Sequence, residues 1–299
     1  MRVARRAGPR VYWRTAVANA SPKPEIAIRE LETVSDLQRA LELEKEVWEC
    51  ADSDVVPVTL AVATRAAGAI WLGAFHGSEM VGFAFALPSL EEGSLGFHSH
   101  TLGVRASYSS AGVGYQLKLA QRKRALARGI KKMTWTFDPL RSRNAHLNFS
   151  KLGVVSDSYR VDFYGSATTS PLHSNGTDRL WVTWHLGEIR VEERLRGKDI
   201  RGEVLDALAH LEPLVRFNGD GRPAEGELAP AVARQRIAIE IPGDIGVLER
   251  DNIALAREWR RATRRALTEA LKAGFVVKEF CRSIRGQQGP GAYLLEKTT

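Results

Sequence analysis

The chain has 299 residues, 44% of them hydrophobic, so it is long enough to bury one large core or two modest ones. No apolar run is long enough to cross a bilayer, which argues against a membrane partner and for a soluble protein. The two cysteines, Cys50 and Cys281, lie far apart in the sequence, which excludes a disulfide framework and fits the reducing cytoplasm.

The N-terminal arm, residues 1–25, carries most of the net charge of +8. Residues 1–24 hold six basic residues and no acid, and residues 25–299 are nearly neutral, with 37 basic against 35 acidic residues. That balance argues against a body that binds nucleic acid. The arm has too few apolar residues for a secretion signal and is expected to be a disordered extension, although its lack of acids also resembles a transit peptide.

Residues 26–187 are predicted to form one mixed α/β unit. The alternating stretch EIAIREL indicates a strand, and Ser35 and Asp36 offer a cap for the amphipathic helix LQRALELEKEVWE. After a short helix that Gly68 ends, AIWLGAF and MVGFAFAL predict a hairpin, to which LGFHSHTLGV adds a third antiparallel strand. The unit is completed by a helix in YQLKLAQRKRALARG, a strand in KKMTWTF, a helix in SRNAHLNFSKLG and strands near 154–163 and 179–186.

The stretch YSSAGVGYQL, residues 108–117, places Gly112 and Gly114 directly before a predicted helix. The first amides of a helix have no internal partners, and small residues around them let a diphosphate approach the backbone. A dinucleotide-binding fingerprint is a poor match because its third glycine falls on Leu117, and no Gly-Lys-Ser/Thr follows for a Walker loop. On this stretch alone, glycines that ease a tight turn remain an equally good interpretation.

The longer stretch LGVRASYSSAGVGYQLKLAQRKRALARGI resembles the acyl-CoA-binding core of the GNAT superfamily of N-acyltransferases. A strand ends at a valine, here Val104, a glycine turn follows, and a helix runs to Gly129. Further on, NAHLNFSKLGV resembles the superfamily's next helix. The resemblance covers roughly residues 26–186 and implies a GNAT-like mixed, mostly antiparallel sheet with flanking helices.

The resemblance also implies where acyl-CoA binds as a co-substrate. Backbone groups on the strand would hold the thioester and the pantetheine amides, amides of the turn would hold the diphosphate, and a side chain on the next helix would touch the pantetheine arm. In chain order these residues are Leu102, Gly103, Val104, Ser109, Ser110, Ala111, Gly112, Val113, Gly114 and Asn144. An amine would attack the thioester directly, with no acyl-enzyme.

A narrower resemblance concerns the acyl group and the acceptor. The stretches HSHTLGV and TWTFDPLRSRNAHLNFSKLG look like a little-described bacterial subgroup of GNAT-like proteins. Some relatives of that subgroup are linked to N-succinylation of amino acids. The resemblance therefore implies acetyl-CoA or succinyl-CoA as donor and a small-molecule amine, such as an amino acid, as acceptor.

Three positions depart from the family pattern. Ser109 stands where the turn usually opens with Arg or Gln, and Ser110 where a Gly usually follows, so one contact to the diphosphate is missing. Phe149 stands where a tyrosine often protonates the leaving thiolate, so the thiolate would leave unassisted or take its proton from water. The alternative function is therefore a catalytically inactive, GNAT-derived binding or regulatory protein.

His98 and His100 are the predicted catalytic bases. They stand two residues apart on the strand that ends at Val104, so both side chains are expected on one face. A neutral imidazole can accept the proton that the attacking amine loses. For either histidine alone, a packed and hydrogen-bonded sheet residue is an equally good interpretation. No metal is predicted, because a His-x-His site needs a third ligand and only His146 and Asp138 are nearby candidates.

Four charged residues are predicted to contact the substrate. Asp138 and Asp178 could receive the acceptor's ammonium, although turn or capping roles are commoner for aspartates. Arg260 or Arg264 could bind a carboxylate of the acceptor or of a succinyl group, although such arginines more often form a solvated helix face.

Residues 188–299 are predicted to form a C-terminal α/β extension. A charged helical stretch precedes NGDGRPAEGELAP, which is predicted to be a surface loop. The strand RQRIAIEIP, one long helix capped by Asp244, and the strands FVVKEFCRSI and AYLLE follow. This order could extend the first sheet or form a second, reduced half. Its apolar faces are compatible with a homodimer but do not require one.

Overall fold

The computed structural model describes residues 24–91, 93–165, 168–286 and 289–298. Almost all of the predicted basic arm, residues 1–25, lies outside these ranges. The described residues contain β-strands at Ala27–Glu30 (β1), Ile70–His76 (β2), Glu79–Glu91 (β3), Ser94–Val104 (β4), Lys132–Phe137 (β5), Val155–Arg160 (β6), Arg179–His185 (β7), Val215–Phe217 (β8), Pro223–Glu225 (β9), Arg236–Ile241 (β10), Phe275–Cys281 (β11) and Gly291–Lys297 (β12).

The helices flank these strands. They lie at Val34–Trp48 (α1), Val58–Ala66 (α2), Val113–Ala127 (α3), Ser142–Ala145 (α4), Ile189–Leu195 (α5), Arg201–Ala209 (α6), Leu228–Val232 (α7), Ile245–Asp251 (α8) and Ile253–Lys272 (α9). A π-helix, His146–Leu152, continues α4, and short 3-10 turns occur at Asp52–Asp54, Ala106–Tyr108 and Pro171–His173.

Helix α1 begins at Val34, three residues before the predicted helix LQRALELEKEVWE. Thr33, and not Ser35 or Asp36, is the cap: its side chain accepts a hydrogen bond from the Asp36 amide at 3.1 Å. Asp36 instead accepts two hydrogen bonds from Arg29 at 2.8 Å. The first turn of α1 is thereby attached to β1.

The described strands form one sheet in the order β1-β2-β3-β4-β5-β7-β6-β11-β12-β10-β8-β9. Most neighbours are antiparallel, whereas β4–β5 and β8–β10 are parallel. One face carries α1 and α2 over a core that includes Leu37, Trp71 and Phe83. A larger core, which contains residues of α3, α9 and the C-terminal strands, includes Leu117 and Trp259. The predicted fold class, a mixed and mostly antiparallel α/β sheet with a C-terminal extension, is confirmed.

The C-terminal region extends the first sheet and does not form a separate one. The joint is a single pair, Ser156 of β6 with Val277 of β11. Side chains reinforce it: the Ser150 hydroxyl donates to the Phe280 carbonyl at 2.6 Å, and the Tyr293 hydroxyl donates to the Pro139 carbonyl at 2.6 Å. The sheet therefore runs without a gap through both predicted units.

Two predictions for the C-terminal region are wrong. The supposed surface loop contains β9, which pairs with β8, and the short helix α7, because this Gly- and Pro-rich stretch folds back along the sheet edge. The supposed single long helix breaks at Asn252, whose backbone is extended and whose side chain accepts from the Leu255 amide. Asp244 does cap α8, so each helix has its own cap.

Candidate active site

Strands β4 and β5 diverge after only two paired residues. Phe97 pairs with Met133 and His98 with Thr134, and no further pair joins the two strands in the described chain. A β-bulge contributes, since Phe85 of β3 pairs with Thr101 and Ala86 with Ser99, which leaves His100 as the extra residue. Bulges bend a strand and re-aim its side chains. The β4 edge that faces β5 is therefore free from Ser99 to Val104.

The predicted glycine turn lies where β4 ends. Gly112 adopts φ +80°, and a Cβ placed there would meet nothing within 4 Å, so the position needs glycine for its backbone and is open to a ligand. Gly114 lets α3 approach β4, since its Cβ would lie 3.5 Å from Leu102 and 3.9 Å from Val104. The first turn of α3 thus sits against the free edge of β4, with Val113 buried beneath it.

Not every predicted amide of the turn is free. The Ser109 amide donates to the Ala106 carbonyl at 3.2 Å, and the Ala111 amide donates to the Tyr108 carbonyl at 3.0 Å. Because these two amides close local turns, their predicted role as diphosphate donors is not supported. Among the described residues, the amides of Ser110, Gly112, Val113 and Gly114 have no such partner. They form the donor set at the start of α3.

Arg143 is a residue of this turn that sequence reasoning missed. Its guanidinium donates to the Ser109 carbonyl at 3.0 Å, and the residue is exposed. It therefore brings a positive charge to the turn from the next helix. Ser109 itself provides no charge, so the positive charge at this position of the turn comes from Arg143. Nothing in the local sequence around Arg143 indicates this contact.

A cavity of about 730 Å³ crosses the sheet where β4 and β5 separate. Its lining includes Lys118 of α3 on one face of the sheet and Glu44 of α1 on the other. Predicted residues that line it are His100, Leu102, Asp138 and Asn144. The gap between the strands is thus a passage connecting the two faces, with the glycine turn at one end of its free edge.

His98 and His100 differ in their surroundings. The Nδ1 atom of His98 is 3.0 Å from the Thr134 hydroxyl, and its ring lies 4.8 Å from that of Trp181. Burial, with smaller contributions from His100 and Lys118, lowers the pKa of His98 to about 4. His98 is thus a packed and hydrogen-bonded sheet residue that does not line the cavity.

His100 lines the cavity and remains accessible through it. Its ring stands edge-on to Phe85 at 5.9 Å. The protein atoms around it still exclude enough water to lower its pKa, which favours the neutral imidazole. A neutral imidazole open to the cavity can accept a proton from a bound amine.

Glu44 is a cavity residue that the sequence analysis did not single out. Only 9% exposed, it is hydrogen-bonded to Thr101 of β4, and burial raises its pKa to about 7 despite that hydrogen bond. A signal was present, because Glu44 falls on the apolar stripe of α1 with Leu37, Ala40 and Leu41. A carboxyl that titrates near neutral pH in a cleft is a candidate acid or base.

The four predicted substrate-binding residues pair with one another. Arg260 donates to both carboxylate oxygens of Asp138 at 2.8 and 2.7 Å, and Arg264 donates to both oxygens of Asp178 at 2.8 and 2.7 Å. Burial opposes ionisation of Asp138, but the charge and hydrogen bonds of Arg260 outweigh it and lower its pKa. These charges already have partners, so the predicted roles toward an ammonium or a carboxylate are not supported.

The Asp178 pair extends further. Burial opposes ionisation of Asp178, but hydrogen bonds from Arg264 and Tyr159 lower its pKa. The Tyr159 hydroxyl donates to Asp178 at 2.5 Å, and Arg264 also reaches Asp162 at 3.0 Å. The two pairs therefore connect α9 to the ends of β5, β6 and β7.

The structure also shows the surroundings of three further residues from the sequence analysis. Asn144 lies on α4 at the cavity wall. Phe149 is fully buried between Phe137 and Tyr293, so it is a core residue and presents no group to a leaving thiolate. Asp138, considered as a third metal ligand, is bound to Arg260, and the described residues contain no group of three His, Cys, Asp or Glu that could hold a metal ion.

No helix in the described ranges has the length and apolarity to cross a membrane.

Several solved structures similar to this chain are N-acetyltransferases. The ribosomal-protein-S18-alanine N-acetyltransferase from Escherichia coli is 16% identical, with a TM-score of 0.43 over 55% of this chain and 96% of that one. An acetyltransferase of the GNAT family from Streptococcus pneumoniae is 18% identical, with a TM-score of 0.43 over 53% and 98%. An aminoglycoside 6'-N-acetyltransferase complexed with coenzyme A is 17% identical, with a TM-score of 0.40 over 54% and 98%.

No protein-family model and no curated protein matches the sequence. Likenesses of this size do not decide what the chain binds or acts on. Its function has to be argued from the geometry of its own residues.

Proposed function

We propose that this chain is an acyl-CoA-dependent N-acyltransferase of the GNAT type. It moves an acyl group, acetyl or succinyl, from CoA to a primary amine of a small molecule such as an amino acid. The observation that supports this most is the free edge of β4, which joins free amides at the start of α3 to a cavity that crosses the sheet. A donor on the α3 face and an acceptor on the α1 face would meet there.

Binding of the donor follows from the donor groups. The amides of Ser110, Gly112, Val113 and Gly114, the helix dipole and Arg143 would hold the diphosphate. Backbone groups of Leu102 and Val104 face the gap without a β5 partner and would pair with the pantetheine amides, as an added strand does, while Gly103 between them is paired with Phe83 of β3. Asn144 would contact the same arm from α4. The thioester would then lie where β4 and β5 meet.

The chemistry requires positioning of two reactants and removal of a proton. His100 and Glu44 are two cavity groups that could take the proton from the attacking amine. His98, the other predicted base, supports the strand through Thr134 and does not face the acceptor. With Phe149 buried, the thiolate would leave as the free anion or take a proton from water. The bond to sulfur breaks as the amide bond forms, without an acyl-enzyme.

The experiment compares CoA binding by calorimetry in the native protein and two variants. Gly112→Asp adds a negative charge at the diphosphate position, whereas Gly112→Asn adds a neutral side chain of the same shape, and both residues tolerate positive φ better than most. We expect Gly112→Asp to abolish binding and Gly112→Asn to retain much of it. Native protein that does not bind CoA at millimolar concentration would overturn the proposal.

The second candidate function is a GNAT-derived binding or regulatory protein without transfer activity. Ser109 and the buried Phe149 favour it, because each removes a group that would assist the reaction. Mass spectrometry of amino-acid mixtures incubated with acetyl-CoA or succinyl-CoA separates the two functions. Tight CoA binding with no acylated product and no thiol release would support the binding protein.

A further inference from the structure

Lys118 is a buried lysine in the cavity wall that the proposed reaction does not use. It lies on α3, is only 4% exposed, and lines the cavity. Its Nζ atom donates to the Ser99 hydroxyl at 2.8 Å and lies 3.6 Å from the centre of the Trp135 ring. A lysine is almost never buried this deeply unless a carboxylate pairs with it.

No carboxylate within the described ranges pairs with Lys118. The Ser99 hydroxyl, which accepts a hydrogen bond from Lys118, donates one to Oε1 of Gln121 at 3.0 Å. Gln121 is fully buried, and its Nε2 atom has no acceptor among the described residues. The cluster of Lys118, Ser99 and Gln121 therefore has more donors than acceptors. Burial lowers the pKa of Lys118 well below its usual range, so an unpaired charge there is costly.

The position of this cluster decides which part of a ligand it would meet. Ser99 is the first residue of β4 beyond the last pair with β5, so it stands at the point where the gap closes. The free amides of α3 lie at the opposite end of the same edge. If the chain binds acyl-CoA as proposed, with the diphosphate at the turn, the acyl group would lie next to Ser99. The acceptor enters from the α1 face, where Glu44 and His100 lie, and does not reach Lys118 first.

We propose that Lys118 binds a carboxylate at the far end of the acyl chain, so that the site selects CoA monothioesters of dicarboxylic acids over plain aliphatic acyl-CoA. The carboxylate supplies the acceptor that the Lys118–Ser99–Gln121 cluster lacks. It also neutralises the buried ammonium, and the Trp135 ring holds that ammonium from the other side. This inference rests on the proposed function and specifies its donor.

The test measures affinity for three probes: CoA, butyryl-CoA and succinyl-CoA. Butyryl and succinyl chains have the same four carbons, and only the second ends in a carboxylate. We expect the native protein to prefer succinyl-CoA over butyryl-CoA by roughly ten- to a hundredfold, the range for a buried charge-assisted hydrogen bond. Lys118→Met, similar in length but neutral, is expected to remove the preference.

Two further variants guard against a trivial loss of folding. Lys118→Arg keeps the charge and is expected to keep part of the preference, while Lys123→Met removes an exposed lysine of the same helix and is expected to keep all of it. Thermal unfolding of each variant shows whether it is folded.

The outcomes separate the inference from the proposed function. Binding of CoA and butyryl-CoA without a preference for succinyl-CoA would overturn the role of Lys118 and leave the CoA site intact. The same conclusion follows if folded Lys118→Met keeps the preference. Native protein that binds none of the three probes would overturn both.

Discussion

Two of the strand–helix–strand units with parallel strands in the described part of the chain differ in whether the gap between the strands is filled. In the first, β4, α3 and β5, the strands are neighbours that separate after two pairs. In the second, β10, α9 and β11, strand β12 lies between the two and pairs with both along their length. The first unit is left with a free edge and a cavity, whereas in the second the backbone groups of the gap are satisfied by β12.

The N-termini of α3 and α9 differ in the same way, since one is uncapped and the other is capped by a side chain. The N-cap of α3 is Gly112, which lies in an exposed turn and provides no side-chain hydrogen bond, so several amides are free. The N-cap of α9 is Asn252, whose side chain accepts a hydrogen bond from the Leu255 amide. Arg260 and Arg264 of α9 pair with Asp138 and Asp178 and join the two regions. An unpaired strand edge and an uncapped helix start together form the proposed ligand site, while their paired and capped counterparts have partners within the protein.

The largest expected effect comes from breaking the ion pair that joins Arg260 of α9 to Asp138. Arg260→Met leaves Asp138 buried beside no strong partner but Arg141, and we expect the free energy of unfolding to fall by about 3–5 kcal/mol. Arg265→Met on the same helix breaks an exposed pair with Glu225 and should cost less than about 1 kcal/mol. Urea unfolding measures both.

A different result would change the comparison between the regions. If Arg260→Met unfolded like the native protein but lost affinity for an amine or carboxylate substrate, then α9 would belong to the binding site. The structural role assigned to the Asp138–Arg260 pair would be wrong.

The second prediction concerns Glu44 in the open region. Its folded pKa of about 7 lies above the ordinary 4.5, so between these values the folded protein keeps a proton that the unfolded chain has released. Stability therefore falls as pH rises from 4.5 to 7 and stays reduced above 7. Glu44→Gln removes the cost of ionising a buried carboxyl. The variant should therefore be more stable than the native protein at pH 8, by on the order of 3 kcal/mol, with no gain at pH 4.

Urea titrations at the two pH values check this, with Glu42→Gln, an exposed change on the same helix, as the control. The rate of acyl transfer offers a second measurement on the same variant. If Glu44 is the base, the native rate rises with pH through about 7, and Glu44→Gln loses that step. A rise at lower pH that disappears in His100→Asn would assign the base to His100.

The smallest expected effect concerns the turn. Arg143→Ala removes the charge beside Ser109, and we expect CoA affinity to fall roughly three- to tenfold, as an exposed charge contact allows. The loss should shrink as salt is added, since an exposed charge is screened. Lys123→Ala, which removes an exposed charge from α3 itself, is the control. Equal affinity in Arg143→Ala and the native protein would leave the backbone amides as the only diphosphate ligands.

Much of the open region could be predicted from the sequence because its signals are local. The alternation of LGFHSHTLGV, the glycines at 112 and 114 and the apolar spacing of α3 each act within a few residues. The C-terminal region was predicted less well. The break at Asn252 and the strand β9 lie in stretches whose local preferences are weak, so packing against the sheet decided them.

The amino-acid sequence by itself determined the elements around β4 and α3, since positive φ at Gly112 and the apolar spacing of α3 are properties of short segments. The tertiary structure alone decided the site's charges. Asp138 and Arg260 stand 122 positions apart, and no local rule pairs them. Glu44 and Lys118 owe their shifted pKa values to burial by distant segments, because desolvation depends on every atom that excludes water and not on neighbours in the chain.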